Sequence, residues 1–423
     1  MKAPKKTLLA AALALAGTAQ AASVVEMYGT VFPFFDVAET KNATTGTAVP
    51  PATARPSQLP STAYTGANDP RRSRITVGTT SWGFRGYEDL APGLRAVWQL
   101  ESGFQIDQNT GPGLGARDSK VGLAGPAWGE FFLGQWDTPY KFVSLPVNPL
   151  RAGYLFDRTA ITGNPGMQVG NTTTQFTRVN AKPDASFDRR QGNSVQYWTP
   201  TWGGLSFRLQ HSVNEGRGTV VAGGPIISPV VNSASAVWTW GQLSLRYAYE
   251  EHKDYFGMSQ LGGSAAGTLT NQHSKDTGHK FVWLWRIGNT RFTGLVERLK
   301  YTNDDTTNGQ VKEYKRDAWY VVLEQFFAGG KTSVFGSYGR ANDGDCVRVG
   351  VTSSACITSG LGAKYMTLGW IYRFSKRTEL VIAYYRMDNK LSGQYSPGPA
   401  VNAVSVAPGA DTTGAGVGLI HFF

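Results

Sequence analysis

The chain has 423 residues, of which 41% are hydrophobic, 12% aromatic and 17% charged, and its mean hydropathy is −0.26. After its first residues no run of about 18 apolar residues occurs, so membrane-spanning helices are excluded. The formal charge of +11 includes arginines scattered among strand-like segments, so it does not indicate a nucleic-acid-binding surface, which needs clustered cations. No linker or change of composition divides the chain, which favours one large domain.

The N-terminus has the pattern of a secretory signal peptide. Three lysines within the first six residues precede a Leu- and Ala-rich run over 7–16, and Ala19 and Ala21 supply the small residues of a cleavage site. We predict residues 1–21 as a signal peptide and residues 22–423 as the mature domain. Removal of the three lysines leaves a formal charge of +8.

Short segments with the character of β-strands follow along the whole mature sequence, and we count sixteen of them. Very short and rather long connections alternate between them, a pattern typical of barrels with turns at one end and loops at the other. An even number of strands lets the last pair with the first and removes every open edge. The predicted strands start near residues 24, 73, 93, 116, 129, 191, 204, 233, 242, 278, 290, 315, 331, 363, 379 and 412.

Alternation within the segments gives each strand one apolar and one polar face. Leu205, Phe207 and Leu209 interleave with polar residues that include Arg208. In a transmembrane barrel the apolar face meets lipid and the polar face lines water. In a soluble β-sandwich, the structural alternative, the apolar face forms the core, and about sixteen strands must pair into two large sheets with protected edges.

Large aromatic residues flank the short connections, where amphipathic rings suit a lipid headgroup boundary. Any single ring is more often ordinary core packing, but their recurrence at the same end of successive strands favours the barrel. The aromatic residues at these positions are Trp198, Trp202, Trp238, Trp240, Phe326, Phe327, Trp370, Tyr372 and Phe374.

Long connections need a purpose inside one domain. We expect most of them to be surface loops, whereas the segment 139–190 is long enough to fold inward and narrow the bore. The only cysteines, Cys346 and Cys356, share one loop, and a disulfide is expected between them in an oxidising compartment. The long connections are 38–72, 139–190, 214–232, 255–277, 342–362 and 391–411.

Several motifs resemble the trimeric general porins of the Neisseria and β-proteobacterial type. The most specific are the block 81–90 (SWGFRGYEDL) and the block 93–104 (GLRAVWQLESGF), which are similar to the second strand, first turn and third strand of that family. Further similarities are Val121–Gly125, Phe132–Gly134 and Asn193–Tyr197. The chain ends in Phe423, and a terminal Phe is a signal for the insertion machinery of outer-membrane barrels.

The resemblance implies a homotrimer of all-β, transmembrane, antiparallel 16-stranded β-barrels, each with an inward-folded third loop that carries carboxylates opposite a ladder of wall arginines. Arg117 matches the arginine that opens the fourth strand, Arg190 the one before the Asn-Ser-Val block, and Arg85 a basic residue of the second strand. The ladder is incomplete, which argues against strong anion selectivity. The departures from the family pattern are Ser81, Gln135, Ile420 and Phe422.

Opposed guanidinium and carboxylate walls create a transverse field that discriminates solutes by charge. For a single loop aspartate, a turn bonded to its own backbone is equally plausible, and for Arg85 or Arg117 the alternative is an ion pair within the wall. We expect Tyr140, Tyr154 and Phe156 to anchor the loop. The candidate pore residues are Arg85, Arg95, Arg117, Arg189, Arg190 and Arg208 on the basic side, and Asp137, Asp157 and Asp184 on the loop.

No catalytic or metal-binding pattern is present. The histidines 211, 252, 273, 279 and 421 fall in different segments without a metal-ligand spacing, and no Gly-x-Ser-x-Gly elbow occurs. We therefore predict no cofactor and no metal.

The sequence thus predicts an outer-membrane porin for passive diffusion of ions and small hydrophilic solutes, with a weak preference for anions. Its expected partners are two further copies of the chain, outer-membrane lipid and lipopolysaccharide, and not nucleic acid. The alternatives are a porin specific for small anionic metabolites, a barrel hydrolase and a plugged structural barrel. Saturable conductance, a required serine and absent conductance, respectively, would distinguish them.

Overall fold

A computed structural model describes residues 23–45, 66–107, 113–151, 153, 155–166, 186–215, 217, 228–255, 273–304, 311–350, 356–397 and 406–423. Antiparallel strands form nearly all of its regular structure. The first nine are β1 (Ser23–Val31), β2 (Pro33–Lys41), β3 (Arg72–Val77), β4 (Ser81–Ala91), β5 (Leu94–Gly103), β6 (Ser119–Gly125), β7 (Gly129–Asp137), β8 (Arg190–Trp198) and β9 (Leu205–Ser212). The others are β10 (Val230–Trp240), β11 (Leu243–Lys253), β12 (Ser274–Ile287), β13 (Thr290–Asn303), β14 (Val311–Phe327), β15 (Thr332–Ala341), β16 (Asp345–Arg348), β17 (Ala363–Arg373), β18 (Thr378–Asn389) and β19 (Asp411–Phe422).

These strands make a closed barrel of sixteen wall strands, as predicted. Strands β1 and β2 are one wall strand interrupted at Phe32, and β3 and β4 are another interrupted at residues 78–80. The short β16 pairs with the end of β14 beyond the wall. The barrel closes where β19 pairs with both β1 and β2, so each wall edge finds a partner for its backbone groups.

Short turns join the wall strands at one end of the barrel, and the long connections lie at the other. Strands β10 and β11 are joined by two residues, as are β12 and β13. The first residue of each of these turns is a glycine, Gly241 with φ 56° and Gly288 with φ 55°, a conformation that other residues adopt at a cost. The connection 104–118 is also long, although it was not among the predicted long connections.

The two faces of the wall differ as a membrane barrel requires. On β13, Phe292 and Val296 are exposed on the outer face, whereas Thr293 and Glu297 on the alternate positions are buried inside. The same alternation recurs around the barrel, which confirms the interpretation of the polar face as the lumen side. Exposed rings near the turns include Trp202, Trp240 and Phe374, at the level where a headgroup boundary is expected.

A helix and two helical turns lie inside the barrel between β7 and β8. They are α1 (Pro139–Ser144) and the 3-10 turns Leu145–Val147 and Arg158–Ala160. Among the described residues no helix is long and apolar enough to cross a membrane. Cys346 and Cys356 are disulfide-bonded, as predicted. The predicted signal peptide, residues 1–21, lies outside the described residues.

Candidate functional site

The third loop folds into the lumen, and its described residues 138–166 and 186–189 are called the inner segment here. It begins where Thr138 caps α1 by accepting a hydrogen bond from the backbone N–H of Lys141. Helix α1 then lies against the inner faces of β9 to β12. The backbone carbonyl of Val147 accepts from Thr293 of β13, and that of Phe156 from Tyr320 of β14. The inner segment therefore follows the wall around one side of the barrel.

The wall that the inner segment covers consists of the inner faces of β10 to β15, β17 to β19 and β2, apart from the turn end of β11 around Arg246, and is called the covered wall. Its inward side chains are a mixture of apolar and polar groups, and the apolar ones form the main hydrophobic core of the described residues together with the inner segment. Phe156 packs edge-on against Phe34 and Tyr385, with ring centroids 5.3 and 5.9 Å apart. As predicted, Phe156 and Tyr140 anchor the loop, whereas Tyr154 lies outside the described residues.

Buried charges tie the inner segment to the same wall. Lys280 Nζ of β12 lies 2.9 Å from Asp188 Oδ1 and 3.5 Å from Glu297 Oε2. On the loop, Arg158 reaches Asp188 at 3.2 Å, and Arg316 of β14 reaches Glu297 at 3.2 Å. All five side chains are at most 2% exposed, so each charge has lost its water and depends on its partners.

The surroundings of two loop groups show how strong this network is. Burial works against ionisation of Asp188, but the positive charges of Lys280 and Arg158 prevail and hold its pKa below the usual value. Tyr140 donates a hydrogen bond to Glu297 Oε2 at 2.9 Å. Burial and the nearby carboxylates raise the pKa of Tyr140 well above its usual value, so it remains a neutral donor.

The inner faces of β1, β4 and β5, called the open wall, have a different character. Among the described residues, no hydrogen bond or ion pair joins the inner segment to β4 or β5. Here the charged residues form ion pairs between neighbouring strands. Arg85 of β4 pairs with Glu26 of β1 at 2.8 Å, and Arg95 of β5 pairs with Asp89 of β4 at 2.5 Å. The side chains of Arg85 and Glu26 are 51% and 54% exposed, so these pairs face the free part of the lumen.

A second group of charges surrounds the point where the inner segment leaves the wall. Arg190 Nε donates to Asp118 at 2.5 Å and its guanidinium lies 3.3 Å from Asp137, which also pairs with Lys141 at 2.8 Å. Burial, followed by the negative charge of Asp137, raises the pKa of Asp118 above its usual value. Arg117 forms its own ion pair, with Glu101 of β5.

The candidate residues thus occupy several environments. Arg85, Arg95 and Arg117 pair with carboxylates of the wall, and none of them pairs with an aspartate in the described part of the loop. Asp157 accepts from the Thr159 backbone N–H and from Asn148, so it is bonded within its own loop. Arg189 is buried beside the Tyr255 ring, and Asp184 lies outside the described residues.

Aromatic rings and cations alternate on the inner faces of β6 to β9. The Lys120 ammonium lies over the rings of Phe132, Trp136 and Trp198 at 4.4 to 4.6 Å. Trp198 was expected at the headgroup boundary, but its ring faces the lumen because residue 198 pairs with inward-facing Arg208. The expectation failed because a ring at the end of a strand occupies either face, depending on register.

Several residues of this site escaped the sequence analysis. Lys280 and Glu297 occupy inward positions of strands, and a charged residue at such a position was the available signal. Asp188 lies close to the predicted Asp184, but nothing local marks it as the group that meets Lys280. Among the described residues, no cluster of His, Cys, Asp and Glu has the arrangement of a metal site.

Comparison with known proteins shows that the chain is similar to outer membrane porins of Gram-negative bacteria. A family model described as Gram-negative porin matches residues 7–392. An outer membrane porin protein of Bordetella pertussis is 32% identical over 218 residues, which are 49% of this chain and 48% of the relative. The chain thus spans about half the length of that relative. Outer membrane porin protein 32 of Delftia acidovorans is 25% identical over 84% of this chain and 89% of its own length.

Solved structures share the fold over nearly the whole chain. An anion-selective porin from Comamonas acidovorans superposes with a TM-score of 0.64 at 22% identity, over 95% of this chain and 100% of that one. A trimer form of the outer membrane protein OmpT of Vibrio cholerae gives a TM-score of 0.58 at 13% identity, over 95% and 100% of the two chains.

Proposed function

Because the chain belongs to the Gram-negative porin family, we propose that it forms a water-filled channel through the outer membrane for ions and small hydrophilic solutes. The observation that carries this proposal is the unequal filling of the lumen. The inner segment packs against the covered wall, while the open wall keeps charged side chains that are about half exposed. Half-exposed charges inside a barrel imply water beside them.

The charges of the lumen support a weak preference for anions. Ion pairs neutralise Arg85, Arg95, Arg117, Lys120 and Arg190. In contrast, Arg208 and Arg246 have no carboxylate within ion-pair distance among the described residues. A lumen with a small surplus of positive charge attracts anions, and the neutralised pairs limit the effect.

We further propose that the channel is a homotrimer that passes solutes without an enzymatic step. The trimer is supported by the sequence resemblance to trimeric porins and by the trimer form of the Vibrio cholerae protein, which has the same fold. Membership of the porin family points to a channel and not to an enzyme. The signal peptide over residues 1–21 and the contact with lipopolysaccharide remain predictions.

Planar-bilayer recording in a KCl gradient tests the proposal. Purified refolded protein should insert in steps that group in threes, with a reversal potential displaced modestly toward that of chloride. Lack of conductance from barrels that are resistant to protease and heat-modifiable on gels would refute the channel. A reversal potential on the potassium side would refute the anion preference while leaving the channel in place.

A further inference from the structure

One arginine of the lumen is held by aromatic rings on both faces. The guanidinium carbon of Arg208 lies 3.3 Å from the ring centroid of Phe142 in α1 and 3.8 Å from that of Trp198 in β8. Stacking on two faces fixes the plane of the guanidinium and leaves only its N–H edge available. The loop and the wall each contribute one ring, so the orientation depends on the seating of the inner segment.

Among the described residues, the N–H edge of Arg208 has no hydrogen-bond or ion-pair partner. None of its nitrogens is among the buried atoms without a partner, so the edge keeps some exposure to solvent. The carboxylate of Glu130 is engaged by Lys120. A fixed, unpaired fork of N–H donors is the arrangement that binds a carboxylate through two parallel hydrogen bonds.

A second arginine, which has no carboxylate within ion-pair distance among the described residues, lies beside the same ring. The guanidinium carbon of Arg246 in β11 is 5.9 Å from the Phe142 centroid, and its Nε donates to Ser244 Oγ at 3.2 Å. Arg208 and Arg246 are each the fourth residue of their strand, counted from a short turn. They therefore lie at one level, on the turn side of the lumen, apart from Arg117 and Arg190 near the loop ends of their strands.

We propose that Arg208 and Arg246 form a binding site for small organic carboxylates, and that a dicarboxylate engages both guanidinium groups at once. This inference rests on the proposed channel function and specifies which anions the channel retains. Chloride is attracted by the charge alone, whereas a carboxylate also matches the fork geometry of Arg208. The site makes carboxylate transport saturable.

Bilayer recording with sodium succinate, sodium propionate and sodium chloride as probes tests the site. In wild-type channels, succinate should reduce the chloride current saturably, with propionate weaker and added chloride showing no saturation. Arg208→Lys keeps the charge but removes the fork, so the succinate concentration for half-reduction should rise roughly tenfold, the equivalent of one lost charge-assisted hydrogen bond. Its chloride preference should stay near that of the wild type.

Arg246→Gln provides an independent variant. The nearest ring centroid lies farther from the guanidinium of Arg246 than from that of Arg208, so replacing Arg246 should disturb folding less. It should weaken succinate more than propionate, since only a dicarboxylate reaches both arginines. The matched control is Arg298→Gln, which removes an outward-facing arginine paired with Asp317 and should leave the succinate block unchanged.

Different results would refute the channel and the carboxylate site. Absence of any conductance would refute the channel itself. Conducting channels in which succinate behaves like chloride, or in which Arg208→Lys and Arg246→Gln both match the wild type, would refute the carboxylate site alone.

Discussion

The covered wall and the open wall of one barrel hold their charges in opposite ways. On the covered wall, Lys280, Glu297 and Arg316 are fully buried, and each is bonded to the inner segment or to another buried group. On the open wall, Arg85 of β4 and Glu26 of β1 lie opposite each other on neighbouring strands and remain about half exposed. The same residue types thus serve as an anchor in one region and as a wetted lining in the other.

The difference follows from the cost of removing water from charge. A buried ion pair is a weak source of stability, but the loss of one partner is expensive because the other charge stays buried. An exposed pair contributes little and its loss costs little. The covered wall therefore fixes the position of the inner segment, while the open wall tolerates changes to its charges, and such changes can alter the ion selectivity.

The largest effect is expected from Lys280→Met. The substitution leaves Asp188 and Glu297 buried with less compensation, at a cost of about 3–5 kcal/mol. The barrel should still form, but the inner segment should leave the wall, giving noisier channels with higher conductance and a new protease-sensitive site within residues 138–189. Single-channel recording with limited proteolysis of inserted protein measures both changes.

The control for that variant is Lys275→Met, which removes an exposed lysine on the outer face of the same strand, paired with Glu251 at 2.7 Å. It should leave the conductance and the protease pattern unchanged. Equal behaviour of the two variants would show that the buried network does not seat the inner segment.

Acidification should affect the ion pairs of Asp118 and of Asp188 at different pH values, because the pKa values of these two carboxyl groups are shifted in opposite directions. The pKa of Asp118 is raised, so this carboxyl is protonated first as the pH falls toward about 4, the usual value for aspartate, and Arg190 becomes less neutralised. The pKa of Asp188 is lowered, so its stabilising contribution is present above about 4 and is lost only as the pH falls through the lower value.

Acidification from pH 7 should therefore increase the chloride preference before it makes the channel noisy. Reversal potentials and current noise recorded at successive pH values give the order of the two events. In Asp118→Asn the early increase in chloride preference should be smaller, while the onset of noise stays at the same pH. Noise that precedes the change in selectivity would contradict the assignment.

A smaller effect is expected from Arg85→Gln on the open wall. The exposed pair contributes little to stability, so the thermal unfolding temperature in detergent should hardly change. The unpaired Glu26 carboxylate should reduce the chloride preference, and Arg85→Gln combined with Glu26→Gln should restore it. Loss of stability comparable to that of Lys280→Met would remove the distinction between the walls.

Much of the architecture could be predicted from the sequence, because alternation and turn chemistry are local properties. The predicted strand starts agree with the sixteen wall strands within a few residues, and the long segment before Arg190 does fold inward. The ion-pair partners could not be predicted in this way. Lys280 meets Asp188 across 92 residues, and only the path of the inner segment, set by its packing against Phe34 and Tyr385, brings them together.

The sequence also could not show which side of the barrel wall a residue faces when that residue lies at the end of a strand, where the pairing register is not fixed. Trp198 was expected at the lipid headgroup boundary and lies in the lumen, where it stacks on Arg208. The sequence placed Arg246 on the polar face of its strand. It could not show that Arg246 has no carboxylate within ion-pair distance among the described residues. Such assignments depend on which strand lies opposite, and that information is not local.

Cysteine accessibility tests the central claim, that water follows the open wall and not the covered wall, most directly. Val97 faces the lumen on the open wall, Val322 faces inward on the covered wall and is 1% exposed, and the two native cysteines are disulfide-bonded and unreactive. In open channels, an anionic water-soluble thiol reagent should reduce the current through Val97→Cys and leave Val322→Cys unaffected. Rapid block of Val322→Cys, or an inert Val97→Cys, would contradict the account.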